Sequence, residues 1–448
     1  MTPAYRNSFA LLLLAALAVR LAAGYWWQSR LDGRFGMGDS DSYWMLAQTI
    51  AKGKPYAYGA DHARVFRAPG YPLLLAPVVG LAGEGLAGVR LARAEATLLG
   101  VLAVLALWWL TRLLFDERAA LWAAALASFY PGAIAASMLV LSEAPFCPLI
   151  LLQLALWTKA WRAPGCRQTA IYACCGGLAA GAATLMRPSW LLFTPLAAAI
   201  GMLVWGKQRS SADVAPPPSV VKTARPSRRR SCYPRHFQIA CWMLLGLIAA
   251  MLPWWVRNAR LTGRFVPTTL QVGASLYDGL NPNATGGSNM DFISRFVAEQ
   301  RRASAHSTAA PGDAEIAFEL QLDRRMREAA ITWARANPAR AVQLAGVKFL
   351  RMWNVWPNEP RLSTWPIRLA VLFTYTPLLL LALWGTWKTM GRGWPYVLCW
   401  LPAVYLTLLH MVFVSSIRYR DPAMLAWLAL AGGVIRDWGS GMRTRHGT

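Results

Sequence analysis

Two acids, Asp39 and Asp41, stand two positions apart in Gly36-Met37-Gly38-Asp39-Ser40-Asp41-Ser42-Tyr43, directly after an apolar run. A close carboxylate pair can raise the proton affinity of one member and make it a general base, or it can hold a divalent cation. The flanking glycines let the backbone approach a ligand. The plainer alternative is that both acids cap a helix running from about Tyr43 to Lys52, since Asp and Ser are good N-caps. A third acid, Glu143 in Leu141-Ser142-Glu143-Ala144-Pro145, lies at the end of another apolar run, where an ionisable group marks a functional candidate. Arginines occupy comparable boundaries: Arg67 in the stretch from Arg64 to Pro72, Arg187 before Pro188, Arg257 with Asn258 after Trp254-Trp255-Val256, and Arg418-Tyr419-Arg420. A guanidinium at the water boundary can grip a phosphate with two parallel hydrogen bonds, although a single one there more often only snorkels. The seven cysteines show no CxxC spacing, so neither a zinc site nor a disulfide framework is indicated.

These residues need elements to hold them, and the composition says what kind. Of 448 residues 56% are hydrophobic and 15% charged, against roughly a quarter charged in soluble domains. Mean hydropathy is +0.32. That pattern predicts an all-α polytopic membrane protein. Apolar runs at 8–27, 87–110, 119–136, 142–160, 169–186, 189–206, 237–256, 366–387, 395–414 and 421–436 make about ten transmembrane helices. The first reads as an uncleaved signal anchor, because many spans follow it. A net charge of +25 without a nucleic-acid-binding motif is assigned to anionic lipid headgroups and a phosphate-bearing substrate, with no nucleic-acid partner.

Lys and Arg concentrate in the loops on one side, above all in 207–236, a basic, Pro-rich cytoplasmic linker. The segments 28–86 and 257–365 then fall on the outer face. Three regions result: an N-terminal transmembrane core over 1–256 that includes the outer loop 28–86, an extracytoplasmic helical segment over 257–365, and C-terminal transmembrane helices with a cytoplasmic tail over 366–448. Within 257–365, Phe318, Leu322, Met326, Ala329 and Trp333 predict a helix ended by Asn337-Pro338. The stripe Val342, Ala345, Phe349, Trp353 and Trp356, with Arg340 and Arg351 opposite, predicts a short interfacial helix. Outer-end arginines on several spans run against the positive-inside tendency, and an anionic lipid substrate would be their partner.

At this point the loops resemble those of GT-C fold glycosyltransferases of the family 39 type, which includes protein O-mannosyltransferases and, more distantly, the lipid A aminoarabinose transferase. The resemblance rests on Asp39, Tyr43, Leu46-Ala47 and Gly53; on Arg67 to Ala76; on Met186-Arg187-Pro188; on Pro253 to Gly263; on Tyr277 to Gly287; and on Arg418 to Pro422. It implies a GT-C fold and transfer of a sugar, with inversion, from a polyprenyl-phosphate-linked donor to an extracytoplasmic acceptor. It also implies a bacterial inner-membrane protein whose site faces the periplasm. By the same resemblance Asp39 is the catalytic acid, Glu143 the second acid, and Arg67, Arg418 and Arg187 or Arg257 the donor-phosphate ligands. Tyr43, Tyr71, Asn258, Tyr419 and Arg420 complete the substrate-binding set. Relatives often carry Asp-Glu where this chain has Asp39-Ser40, so Asp41 shares or replaces the role of Asp39. No cofactor is implied with certainty; a divalent cation on Asp39, Asp41 and Glu143 stays open. An O-antigen ligase or polymerase and a lipid-linked sugar flippase are the competing readings.

Overall fold

The computed structural model describes residues 3–59, 63–205, 233–304, 311–357 and 363–445. Most of the linker 207–236 therefore lies outside the described residues. The chain runs through α1 (Pro3–Gln28), then two short helices, α2 (Gly38–Ala51) and α3 (Gly70–Ala82), before α4 (Leu86–Leu114). Next come α5 (Glu117–Phe129), α6 (Pro131–Met138), α7 (Glu143–Arg162), α8 (Cys166–Met186), α9 (Phe193–Ile200) and α10 (Tyr233–Thr262). The segment after α10 folds as α11 (Val272–Gly279), α12 (Ile293–Ser304), α13 (Pro311–Ala336) and α14 (Pro338–Trp353). The chain closes with α15 (Trp365–Thr389), α16 (Val397–Val412) and α17 (Asp421–Arg445).

Helix falls in each of the ten apolar runs, and among the described residues five helices are long and apolar enough to cross a membrane, or six if the bent pair α5 and α6 is one span. The bend of 58° between them has a cause in the sequence. Pro131 has no N–H for the carbonyl of Ala127, and the extended Tyr130 ends the ladder for Ser128. Arg20, fully buried in α1, supplies the missing donors: Nη2 to Ala127 O at 3.0 Å and Nη1 to Ser128 O at 3.0 Å. This arginine within the first apolar run is thus the cap of a broken helix. Arg20→Met should lower the thermal unfolding midpoint in detergent, with a loss on the order of 2–3 kcal/mol from the orphaned carbonyls; an unchanged midpoint would show the cap to be dispensable.

Between apolar helices in lipid, close approach rather than water exclusion drives association. α8 and α10 meet where a Cβ on Gly177 would overlap the Met243 carbonyl and one on Gly246 the Cys174 carbonyl. Tyr43, Trp44, Tyr71 and Leu75 of α2 and α3 pack on Val89, Ala92 and Ala96 of α4. Tyr277, Phe296, Met326 and Ala330 form a separate core for α11 to α13.

Two helices of the segment 257–365 differ in facing from the sequence pattern. In α13 the buried side holds Ile316, Glu319, Asp323, Met326 and Ala330, so two acids share a stripe that hydrophobicity alone rotates away from them. In α14, Leu344, Lys348 and Met352 are buried while Val342, Phe349 and Leu350 are exposed. The apolar stripe is free to meet lipid, and a lysine faces the protein.

Candidate active site

α2 begins at Gly38, five residues before the start suggested by the pattern, so Asp39 is in its first turn. Met37 is the N-cap and no side-chain capping bond forms, which disposes of the capping alternative. Ser40, buried beside it, donates to Leu139 O at 2.7 Å and fixes the helix start against the end of α6. Asp39 instead accepts from Arg67 Nη2 at 3.0 Å on Oδ1 and from Arg418 Nη2 at 2.7 Å on Oδ2.

The network continues. Arg418 Nε stands 3.7 Å from Glu143 Oε1, and Arg187 Nη1 is 2.5 Å from the same oxygen. Arg187 Nη1 also donates to Ser142 Oγ at 3.2 Å. Cation and anion alternate from Arg67 through Asp39, Arg418 and Glu143 to Arg187. Tyr419 lies beneath Arg418 and Arg187, each 5.1 Å from its ring centre, and His410 stacks on its ring at 4.2 Å. Arg67 lies over the rings of Tyr43 and Tyr58, and Tyr43 packs edge-on against Tyr71 at 5.4 Å. Burial by itself pushes the Asp39 carboxyl up; the charges and hydrogen bonds of Arg418 and Arg67 overcome this and hold it below the usual carboxylate range.

The residues that place Arg67 come from far along the chain. Glu319 of α13 accepts from the backbone N–H of Arg64 at 2.9 Å and of Val65 at 3.1 Å. Burial raises the Glu319 carboxyl above its ordinary value, and these two donors partly offset it. Glu319→Ala should free the loop and lower kcat/KM roughly ten- to a hundredfold by misplacing Arg67. Steady-state kinetics on a competent donor check this, and wild-type rates would remove Glu319 from the account.

Asp39, Arg67, Tyr58, Arg418 and Tyr419 stand on a cavity of about 750 Å³. One side of it is apolar, formed by Ala23 and Trp26 from α1, Ile134, Ala135 and Met138 from α6, and Ile367 and Val371 from α15, while Ser288, Arg351, Arg420 and Asp421 add further polar lining. A molecule with an anionic head and a hydrocarbon tail matches both parts.

Not every expected residue joins. Asp41 is exposed in a different hollow, of about 860 Å³, with Arg30 and Arg34, because two residues along a helix turn the side chain about 200°. Tyr71 is buried behind Tyr43. Arg257 donates to Arg64 O at 3.0 Å and stacks on Trp254 and Tyr56, so it braces the Arg67 loop, while Asn258 is buried and donates to Thr268 O at 3.4 Å in the segment whose Leu270 N–H bonds Val65 O. Arg420 borders the cavity, and its Nη1 donates to the carbonyls of Met352 and Asn354 at the end of α14. Tyr58, His410, Glu319, Ser288 and Arg351 are parts of the site or its supports that sequence spacing does not mark. The oxygens of Asp39 and Glu143 face guanidiniums, Asp41 points elsewhere, and among the described residues no three His, Cys, Asp or Glu gather, so the donor set does not fit a divalent cation.

Residues 66–217 match the family model described as dolichyl-phosphate-mannose-protein mannosyltransferase. No curated protein sequence matches the chain. Among solved structures, the oligosaccharyltransferase of Archaeoglobus fulgidus in its apo form superposes with a TM-score of 0.58 at 14% identity, over 99% of this chain and 52% of that one. Its complex with an inhibitory peptide and a dolichol-phosphate gives 0.58 at 15% identity, over 99% and 52%. The chain thus spans about half the length of that archaeal protein. ArnT from Cupriavidus metallidurans, bound to undecaprenyl phosphate, gives 0.44 at 13% identity, over 95% and 76%, too low a score to argue from.

Proposed function

We infer that this chain, a GT-C-fold membrane protein of the family 39 kind, transfers a sugar from a polyprenyl-phosphate-linked donor to an acceptor hydroxyl or amine outside the cytoplasm. One observation carries the reading: Asp39 lies between Arg67 and Arg418 on a cavity that also has an apolar side formed by α1, α6 and α15. The dolichol-phosphate bound by the archaeal oligosaccharyltransferase supports the choice of donor.

Arg67 and Arg418 hold the donor phosphate, and Glu143 with Arg187 sets the position of Arg418. Asp39 takes the acceptor's proton as the acceptor attacks the anomeric carbon. The bond from that carbon to the phosphate oxygen breaks, with inversion, and the departing polyprenyl phosphate keeps its charge against the two guanidiniums. The outer-face location follows from the basic loops of the opposite side.

The test is to incubate detergent-purified protein with polyprenyl-phosphate sugars and an acceptor panel, and to detect free polyprenyl phosphate by mass spectrometry. Release without any membrane gradient supports transfer over transport. Failure of every donor, although free polyprenyl phosphate binds, overturns the reading.

A further inference from the structure

Besides Asp39 the cavity has a second carboxylate on its lining, Asp421, which has no part in the transfer steps. It opens α17, in a first turn where negative charge is favoured. The break between α5 and α6 builds its seat. Tyr130, extended at φ −68° and ψ 118°, donates its hydroxyl to Asp421 Oδ1 at 2.5 Å, and Gly132 leaves room for that oxygen, since a Cβ there would overlap it. Among the described residues Tyr130 is the one side chain that donates to Asp421, so Oδ2 is left to accept. The adjacent Arg420 gives the carboxylate a counter-charge and lies 3.7 Å from the ring centre of Tyr375.

Tyr375 comes from α15, where Ile367, Val371 and Tyr375 recur every four residues and line the cavity as one face. Its ring stacks with that of Tyr130, the centres 6.5 Å apart, so it belongs to the same cluster as Asp421. The Tyr375 hydroxyl is fully buried and has no hydrogen-bond partner. A buried polar group left unmet is costly, and in a folded protein it calls for a partner. The cluster therefore offers one donor, the Tyr375 O–H, and one acceptor, Asp421 Oδ2. A carbohydrate hydroxyl both donates and accepts, so a single one satisfies both. With Arg420 beside Asp421, the cluster has no net charge to draw an ion.

The short turn Ile417–Tyr419 precedes Asp421, so the phosphate clamp on Arg418 and this cluster occupy neighbouring turns of one wall. Resting on the reading of this cavity as the donor site, we propose that Asp421 and Tyr375 bind one ring hydroxyl of the donor sugar and reject a donor that lacks it. Discrimination arises because a deoxy sugar leaves two buried polar groups unmet.

The experiment measures kcat/KM of the full-length protein for a polyprenyl-phosphate hexose and for its monodeoxy forms, with one ring hydroxyl removed at a time. In wild type at least one deoxy donor should be used about tenfold less well, or worse. Tyr375→Phe should bring the ratio for that donor within about threefold by lowering use of the hexose, leave the ratios for the other deoxy donors in place, and leave the affinity for free polyprenyl phosphate unchanged. Its thermal unfolding midpoint should not fall, because the oxygen removed has no partner in the protein; a fall would assign the hydroxyl a structural bond and overturn the proposal. Asp421→Asn, which replaces a carboxylate oxygen with an amino group, should narrow the same ratio. Equal use of the hexose and every deoxy form by wild type, or ratios that Tyr375→Phe leaves in place, likewise overturns it. Consumption of no donor by wild type overturns the transferase reading itself, and this inference with it.

Discussion

Asp39→Asn should reduce turnover about 10²- to 10⁴-fold, the range typical of removing one well-placed base, while free polyprenyl phosphate still binds. The amide keeps the shape, accepts from one guanidinium, and no longer competes with a phosphate for both. Paired with Arg67 and Arg418, the wild-type carboxyl has a lowered proton affinity in the free protein. A lowered folded-state value means that the pairing stabilises the fold fully above the ordinary carboxylate value of 3.8, and that this is lost as pH falls through the lowered value. Accordingly kcat/KM, which reports the free enzyme, should show no acid limb from Asp39 above about pH 4. When a donor phosphate draws the guanidiniums toward itself, the carboxylate regains basicity, and the acid limb of kcat should lie higher than that of kcat/KM. Coincident limbs would mean that donor binding does not loosen the pairing.

Arg418→Gln is the second large effect expected. Arg418 reaches both acids, Asp39 at 2.7 Å and Glu143 at 3.7 Å, from a short turn just ahead of α17. Its loss removes a charge from the departing phosphate and leaves Asp39 with Arg67 alone. Turnover should fall roughly 10²- to 10³-fold, as when one preorganised donor to a developing anion is removed, and the KM for donor should rise. The acid limb of the residual kcat/KM should move up, because one of the two cations lowering the Asp39 carboxyl is gone. Arg418→Lys should restore only part, since a compact ammonium cannot span both carboxylates. Full activity in Arg418→Lys would show that charge alone, without the fork, suffices.

Several parts of this site are legible in the chain because chemistry is scarce in an apolar sequence. Asp39, Glu143, Arg67, Arg187 and Arg418 stand out at the ends of hydrocarbon runs, and the fold brings all five into one network although Asp39 and Arg418 are 379 positions apart. Asp41 shows the limit: its type and spacing resemble those of Asp39, and only the true start of α2 reveals that it faces another hollow. Arg257 and Asn258 read as ligands because they sit at a boundary; Arg257 instead donates to Arg64 O in the Arg67 loop, and Asn258 to Thr268 O. Glu319 and Arg351 were hidden for the opposite reason. A hydrophobic stripe predicts which side of a helix is apolar, and on α13 and α14 the buried side is chosen by hydrogen bonds to loops far away in sequence. The bend at Pro131 could be anticipated from the proline, whereas the partner of its freed carbonyls, Arg20, comes from a different helix.

The most direct measurement is to photo-crosslink a polyprenyl phosphate carrying a small reactive group next to its phosphate and to map the labelled peptides by mass spectrometry. The account predicts label on the segments holding Arg67, Arg418 and Tyr419, competed away by unlabelled polyprenyl phosphate. Competable label confined to the Arg30 and Arg34 hollow, or to the segment around Arg257, would contradict it.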